Sequence, residues 1–221
     1  IDPGISLKQR ERNTDFVHLG YSSPKTQSRI YLYNLKTKKK KLVKEQEIPS
    51  GHNPDDYIVE RLECTSHDER LVPITITRHK KTKVDGSSNL LLYGYGSYGT
   101  SMTPGFSSTR LSLINRDIIW ATAHTRGGLE RGMKWWKEGK LLNKKNSFED
   151  YIAVAKYLIE KKYTSKGKII GMGGSAGGLL MGAVINQVPE LFLGIIMAVP
   201  FVDSLTTNLD HSLPLTVGEF D

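Results

Sequence analysis

A serine flanked by glycines is the feature of this sequence with the clearest chemical meaning. The run Gly173–Gly178 reads Gly-Gly-Ser-Ala-Gly-Gly and lies between an apolar run that ends at Met172 and a helix-like segment, 179–187. This is the G-x-S-x-G pattern in the strand-turn-helix context that it requires. Glycines let the chain turn sharply and let a carbonyl group approach the hydroxyl. We interpret Ser175 as a nucleophile for acyl transfer; the alternatives are an incidental serine and a phosphate-binding loop.

Acyl transfer also needs hydrogen-bond donors for the oxyanion of the tetrahedral intermediate. The N–H of Ala176, at the start of the helix, is one candidate. A second glycine-rich stretch, Tyr93–Gly99, follows the apolar run 90–93. The loop after an early strand is where α/β-hydrolases supply their other donor, so this stretch is the second candidate.

The elements that would position these turns change in character along the chain. Residues 15–48 alternate short apolar runs with turn residues, which predicts an antiparallel meander of about three strands. A Pro- and Gly-containing break, 49–54, precedes a predicted hairpin formed by 57–64 and 71–78. After residue 88, apolar runs alternate with helical segments, which favours a parallel sheet covered on both faces.

The clearest predicted helix runs from about 147 to 159. Ser147 and Asp150, three residues apart, resemble a capping box, in which side-chain oxygens accept hydrogen bonds from the first N–H groups of the helix. Apolar residues then recur at helical spacing. We expect the helix to begin at Ser147.

Composition describes an ordinary globular chain of 221 residues with a formal charge of +8. The lysine run 36–41 has no aromatic platform or nucleic-acid motif around it, so we interpret it as a solvated hairpin turn.

No apolar stretch approaches the roughly 20 residues that span a bilayer. The single cysteine, Cys64, fits a reducing compartment, and we expect the cytoplasm. Because the chain opens at Ile1, we expect processing or a start inside a longer protein.

Several spaced motifs together resemble the prolyl oligopeptidase family of serine peptidases. The stretches Leu205–Asp210 and Leu213–Thr216 are most similar to the oligopeptidase B branch of that family. The motifs of the wider family are Tyr93–Gly99, Arg126–Gly128, Lys144–Phe148, Gly173–Gly178 and Pro200–Asp203.

The resemblance implies an α/β fold with two parts. Residues 1–50 would be the C-terminal remnant of a β-propeller. Residues 51–221 would be the N-terminal part of an α/β-hydrolase catalytic domain, which stops before the catalytic Asp and His. The implied protein needs no cofactor or metal, and binds neither nucleic acid nor a membrane.

The resemblance also assigns roles. Ser175 would form the acyl-enzyme, with the Ala176 N–H and the Tyr95 hydroxyl as the oxyanion hole. Glu219 and Asp221 would hold the Arg or Lys side chain of short basic peptides that are cleaved after that residue. From the residues alone, the alternative for Tyr95 is a core aromatic, and the segment 219–221 would normally be a solvated surface.

The match is incomplete where a general base is needed. After Ser175 the internal Asp residues are Asp203 and Asp210, and the only histidine is His211. In the family both partners of the serine lie further along the chain, so we expect these 221 residues alone to be nearly inactive.

Other departures concern specificity. Leu129 stands where the family usually has a glycine. Thr103 and Gly105 stand where bacterial members often carry acidic residues, which leaves a preference for a second basic residue without support. The alternatives are therefore an esterase or peptidase of other specificity, and a non-catalytic remnant of a decayed peptidase gene.

Overall fold

The computed structural model describes residues 4–8, 13–210, 212–213, 216 and 218–220. Within these ranges the chain forms two separate sheets and a set of helices. The strands are β1 Gly4–Lys8, β2 Phe16–Ser23, β3 Thr26–Asn34, β4 Lys40–Glu45, β5 Tyr57–Thr65, β6 Leu71–His79, β7 Leu90–Tyr93, β8 Ile119–Ala123, β9 Ile169–Gly174 and β10 Phe192–Ala198. The helices are α1 Ser108–Ile114, α2 Met133–Lys137, α3 Lys145–Glu160, α4 Ala176–Gln187 and α5 Ser204–Leu209.

The first sheet is an antiparallel meander in the order β1-β2-β3-β4. It contains the expected three strands and adds β1 before them. The turn between β3 and β4 is organised by the side chain of Asn34, which accepts hydrogen bonds from the N–H groups of Lys36 and Thr37 at 2.9 and 2.8 Å. The lysines of this turn are exposed, which confirms the prediction of a solvated hairpin turn.

The second sheet has the order β10-β9-β7-β8-β6-β5. Strands β8, β7, β9 and β10 are parallel to one another, while β5 and β6 form the predicted hairpin and join β8 in antiparallel pairing. Parallel neighbours need crossover helices, and the alternation of apolar runs and helices in the sequence supplies them.

The core of this part lies between the sheet and the helices α3 and α4. Leu90 and Leu92 of β7, Ile119 of β8 and Ile169 of β9 are all completely buried there. Trp120 points to the opposite face, because successive strand residues alternate, and it packs with residues of α1. Helices therefore cover both faces of the sheet at β7 and β8, whereas most residues of the edge strand β10 are exposed. None of the helices in the described ranges is long and apolar enough to cross a membrane.

The carboxyl ends of the four parallel strands meet at one edge of the sheet. The loops that follow β7, β8 and β9 carry Tyr95, Arg126 and Ser175 in turn. In open α/β sheets this edge is where ligands bind. The topology therefore gathers residues that are up to 80 positions apart in sequence.

The predicted start of the long helix was wrong. Helix α3 begins at Lys145, no side chain caps it, and Ser147 lies inside its first turn. The Ser147 hydroxyl donates instead to the backbone oxygen of Arg126 at 2.7 Å. Asp150 accepts hydrogen bonds from the N–H and the side chain of Arg126. Both polar side chains that suggested a cap hold a neighbouring loop, because tertiary partners satisfy them better than the helix end does.

Arg126 is the largest completely buried side chain of the described residues. Its guanidinium pairs with Asp150, which is also fully buried, and with the half-exposed Asp68. Burial alone would lower the pKa of Arg126, but hydrogen bonds and charges from the two carboxylates outweigh it and raise that pKa. Ser66 donates to Asp150 at 2.7 Å and completes the cluster. The cluster of Arg126, Asp150, Asp68 and Ser66 joins α3 to the loop after β8 and to the β5–β6 turn.

Replacing Asp150 by Asn should destabilise the fold strongly. The buried guanidinium of Arg126 would lose its main counter-charge, and removing one partner of a buried pair costs about 3–5 kcal/mol. Denaturant unfolding measures this as a lower free energy of unfolding. The matched control is Glu160→Gln, which disrupts the exposed pair with Lys161 and should cost about 1 kcal/mol or less. Equal stability of the two variants would contradict the structural role of the buried pair.

Candidate active site

Ser175 stands at the tip of the turn between β9 and α4. Its backbone has φ 52° and ψ −118°, a left-handed region that residues with side chains rarely adopt. Its N–H donates to the carbonyl oxygen of Ala198 at 2.9 Å. Its own carbonyl oxygen accepts from the N–H groups of Phe201 at 2.9 Å and Gly178 at 2.8 Å. The side chain is exposed. Strands β9 and β10 therefore hold a strained backbone in place while the hydroxyl faces solvent.

The glycines beside Ser175 are required by contacts between backbones. A Cβ atom on Gly173 would lie 2.2 Å from the carbonyl oxygen of Gly177. A Cβ on Gly177 would lie 2.8 Å from the oxygen of Gly94 and 3.4 Å from the ring of Tyr95. Because no side chain intervenes at Gly177, the Tyr95 loop rests directly on the start of α4.

Tyr95 is half-buried beside the serine. Burial raises the pKa of its hydroxyl, the neighbouring Tyr93 and Glu219 raise it further, and a hydrogen-bonding contribution from the Ser175 side chain lowers it. The hydroxyl is therefore protonated at neutral pH and able to donate. Ala176 is the first residue of α4, and the first N–H groups of a helix have no partner within the helix. The structure thus brings Ser175, Ala176 and Tyr95 together.

The Tyr95 loop is held from behind by α3 and by the loop that carries Arg126. The carbonyl oxygen of Gly96 accepts from the ammonium group of Lys144 at 2.6 Å and from the Ser147 hydroxyl at 3.3 Å. The N–H of Gly99 donates to the carbonyl oxygen of Gly127 at 2.9 Å. The position of Tyr95 thus depends on the first turn of α3 rather than on its own strand alone.

Glu219 is buried, with 2% of its surface exposed, so this carboxylate is not part of a solvated surface. One carboxylate oxygen accepts from the indole N–H of Trp136 at 3.0 Å. The other lies 3.7 Å from the ammonium nitrogen of Lys144 and accepts no hydrogen bond from the described residues. Asp221 lies outside the described residues.

Phe220 fixes the segment that carries Glu219. Its ring centroid lies 5.1 Å from that of Phe201 and 5.9 Å from that of Tyr98. Phe201 is bound through its N–H to the carbonyl oxygen of Ser175. An apolar contact therefore connects the acidic segment to the serine turn.

Lys144 is the residue of this site that sequence reasoning missed. Burial lowers the pKa of its ammonium group to about 8, and the negative charge of Glu219 works in the opposite direction. The motif Lys144–Phe148 was visible in the sequence, but no spacing rule connects it to Glu219, 75 positions later. The carboxylate proposed for substrate recognition thus already has a cation beside it.

The remaining candidates do not complete a catalytic set in the described ranges. Asp203 caps α5, and its carboxylate accepts from the N–H of Thr206 at 3.2 Å. His211 lies outside the described residues. His124, just after the end of β8, is buried and contacts Thr75 and Glu130. Within the residues searched, no cluster of three or more His, Cys, Asp or Glu side chains could hold a metal ion.

Comparison with known proteins gives the site its context. The family model of the prolyl oligopeptidase family matches residues 104–221. The chain is 44% identical over 212 residues to Dipeptidyl aminopeptidase BI of Pseudoxanthomonas mexicana, covering 96% of this chain and 29% of that protein. It is 41% identical over 215 residues to Protease 2 of Moraxella lacunata, covering 97% of this chain and 31% of that protein.

A solved structure, oligopeptidase B from Leishmania major, superposes with a TM-score of 0.86 at 40% identity and covers 95% of this chain and 30% of that chain. The chain therefore spans about 30% of the length of the relatives that it matches. The expected fold class is confirmed: the second sheet belongs to an α/β-hydrolase fold, and the first comprises the last strands of a β-propeller. Since the family model covers more than half of its residues, the chain belongs to the prolyl oligopeptidase family.

Proposed function

We propose that the full-length protein is a serine peptidase that acts through an acyl-enzyme on Ser175. The observation that carries this proposal is the exposed serine at a positive-φ turn, with the Tyr95 ring packed against the start of α4 beside it. The Ser175 oxygen attacks the scissile carbonyl, and the Ala176 N–H and the Tyr95 hydroxyl stabilise the oxyanion. Each such donor contributes roughly 10²–10³-fold to the rate.

The general base and the carboxylate that orients it come, in this proposal, from a part of the protein outside these 221 residues. We also propose residues 1–50 as the end of the propeller domain and 51–221 as the first part of the catalytic domain, since each range holds one of the two sheets. The cytoplasm remains the proposed compartment, on the evidence of the single cysteine, Cys64, which is buried.

The proposed substrates are short peptides cleaved after Arg or Lys. Support comes from Glu219, a buried carboxylate near the serine with one oxygen that accepts no hydrogen bond from the described residues. A guanidinium or ammonium group of the substrate could donate to that oxygen. We propose Asp221 as its partner on the strength of the family resemblance.

Two rival functions keep the same fold. A hydrolase of another specificity would use Ser175 without Glu219, and the differing names of the relatives, a dipeptidyl aminopeptidase and a protease, leave room for it. A decayed, non-catalytic protein would use neither. The variants below separate the three cases.

The full-length protein should be labelled covalently by a fluorophosphonate at Ser175. Ser175→Ala should abolish both labelling and peptide hydrolysis, because the acyl-enzyme cannot form. Ser165→Ala is the matched control, since Ser165 precedes β9 at the other end of the same strand, and it should label normally. Mass spectrometry of the labelled peptide identifies the site. An unlabelled wild-type protein would support the decayed remnant.

Glu219→Gln should reduce selectively the hydrolysis of substrates with Arg before the scissile bond. Glutamine keeps an acceptor for Trp136 but removes the charge, and the loss of one partner of a buried charge pair costs about 2–5 kcal/mol, roughly 30-fold or more. The measurement is kcat/KM for an Arg peptide relative to its citrulline isostere, which lacks the charge.

The control for that variant is Glu190→Gln, an exposed glutamate that pairs with Lys166 at 4.0 Å and should leave the ratio unchanged. A wild-type protein that treats Arg and citrulline alike would overturn the basic specificity. It would leave the role of Ser175 intact, in favour of a hydrolase of another specificity.

Lys144 should make the same Arg-to-citrulline ratio depend on pH. Its pKa is lowered to about 8, so the ammonium group offsets the charge of Glu219 below that pH and becomes neutral above it. The ratio should therefore rise between about pH 7 and pH 9. The general base acts on the Arg peptide and on the citrulline peptide alike, so its titration cancels in the ratio of the two kcat/KM values. In Lys144→Met the ratio should be high at pH 7 and flat; a flat wild-type profile would contradict this prediction.

A further inference from the structure

A cavity of about 460 Å³ opens beside the loop that follows Tyr95. Its walls are the end of β7, strand β8, helix α1 and the loop 101–104. The lining residues used below are Tyr93, Ser101, Thr103, Arg110, Trp120 and Thr122.

Arg110 gives the cavity its charge. The carbon of its guanidinium group lies 4.6 Å from the ring centroid of Trp120, and one terminal nitrogen donates to the carbonyl oxygen of Gly105 at 3.1 Å. The Nε atom is buried and donates to no atom of the described residues. Burial lowers the pKa of this group. No acidic residue is among the described residues that line the cavity.

This arrangement fits an anion. A guanidinium group carries five N–H donors in a planar fork that matches a carboxylate. The contact with the Trp120 ring is a cation–π interaction, which satisfies none of the N–H donors. The hydroxyl groups of Ser101, Thr103 and Thr122 line the same cavity and can donate to the same ligand. A desolvated cation without a carboxylate partner is unfavourable, and a bound carboxylate would relieve that cost.

The cavity adjoins the proposed catalytic centre. Tyr93, in its wall, is two residues from Tyr95, so their Cα atoms are separated by at most about 7 Å. The ring of Tyr93 also stacks on Trp120 with a centroid distance of 6.3 Å. The wall of the cavity therefore continues directly into the loop that carries Tyr95, next to which a peptide bound at Ser175 would lie.

We propose that this cavity binds a carboxylate of the peptide substrate through Arg110, and so selects peptides that carry an acidic group near the Arg or Lys at the cleavage point. The proposal rests on the proposed peptidase function. Its chemistry is opposite to that of Glu219: one site holds a cation and the other an anion. The carboxylate is either a Glu or Asp side chain or the C-terminus of a short peptide.

The test uses the full-length Ser175→Ala variant, so that binding is measured without cleavage. The probes are fluorescent peptides with a single Arg. In each peptide, one position within three residues of the Arg carries Glu or its neutral counterpart Gln. Every peptide is made with a free C-terminus and with an amidated C-terminus. At one position, or at the free C-terminus, the carboxylate form should bind at least 10-fold more tightly than its neutral counterpart. The two arms of the series identify the source of the carboxylate.

Variants assign the effect to the cavity. Arg110→Met should remove the preference for the carboxylate form, and Arg110→Lys should keep part of it. Thr103→Asp should abolish the preference, because it supplies the guanidinium with a carboxylate. Arg116→Met is the control, since Arg116 is exposed just after α1 and should leave the preference unchanged. Equal affinity for both peptide forms in the wild-type background, or a preference that survives Arg110→Met, would overturn the proposal.

The outcomes also separate the two proposals. A carboxylate preference in a protein whose Ser175 is not labelled by a fluorophosphonate would uphold the anion site and reject the peptidase. Cleavage after Arg without any carboxylate preference would uphold the peptidase and reject the anion site. If none of the peptides binds, the cavity is not a substrate site.

Discussion

The buried pair between Arg126 and Asp150 is the interaction on which the rest of the catalytic part depends. It fixes the loop after β8 against the first turns of α3. That loop and that helix in turn hold the carbonyl oxygen of Gly96, and with it Tyr95, against the start of α4. The reactive turn is thus supported by charge and hydrogen bonds on one side and by direct backbone packing on the other. A fully buried guanidinium is stable only because its counter-charges are built into two other elements.

Cations in the interior of this molecule have very different partners. Arg126 has its carboxylates, Lys144 shares the charge of Glu219, and Arg110 has an indole ring and a carbonyl oxygen. The number of partners indicates how far each cation is free to bind a ligand. Arg126 has a structural role, Lys144 modulates the charge of Glu219, and Arg110 is the one that we propose binds a ligand. The formal charge of +8 conveys none of this, because exposed lysines such as those around Lys38 contribute to it equally.

Local patterns in the sequence predicted the strands, the hairpins and the serine turn, because each depends on residues a few positions apart. The glycines around Ser175 and the alternating runs in β2 to β6 are of this kind. The same reasoning failed for Ser147 and Asp150, whose spacing suits a cap but whose side chains find partners in another loop. Lys144 escaped notice for a related reason: its partner Glu219 is distant in sequence, and only the closed fold brings them within 3.7 Å.

The backbone of Ser175 carries one more implication, for protein engineering. A side chain at φ 52° costs on the order of 1–3 kcal/mol, which glycine would not incur. Any library of variants selected for thermal resistance alone will therefore enrich glycine at this position, together with loss of the hydroxyl. On the proposed function, selection for heat tolerance must be coupled to a readout of peptide hydrolysis, because a chain with glycine at position 175 would be more stable but would lack the proposed nucleophile.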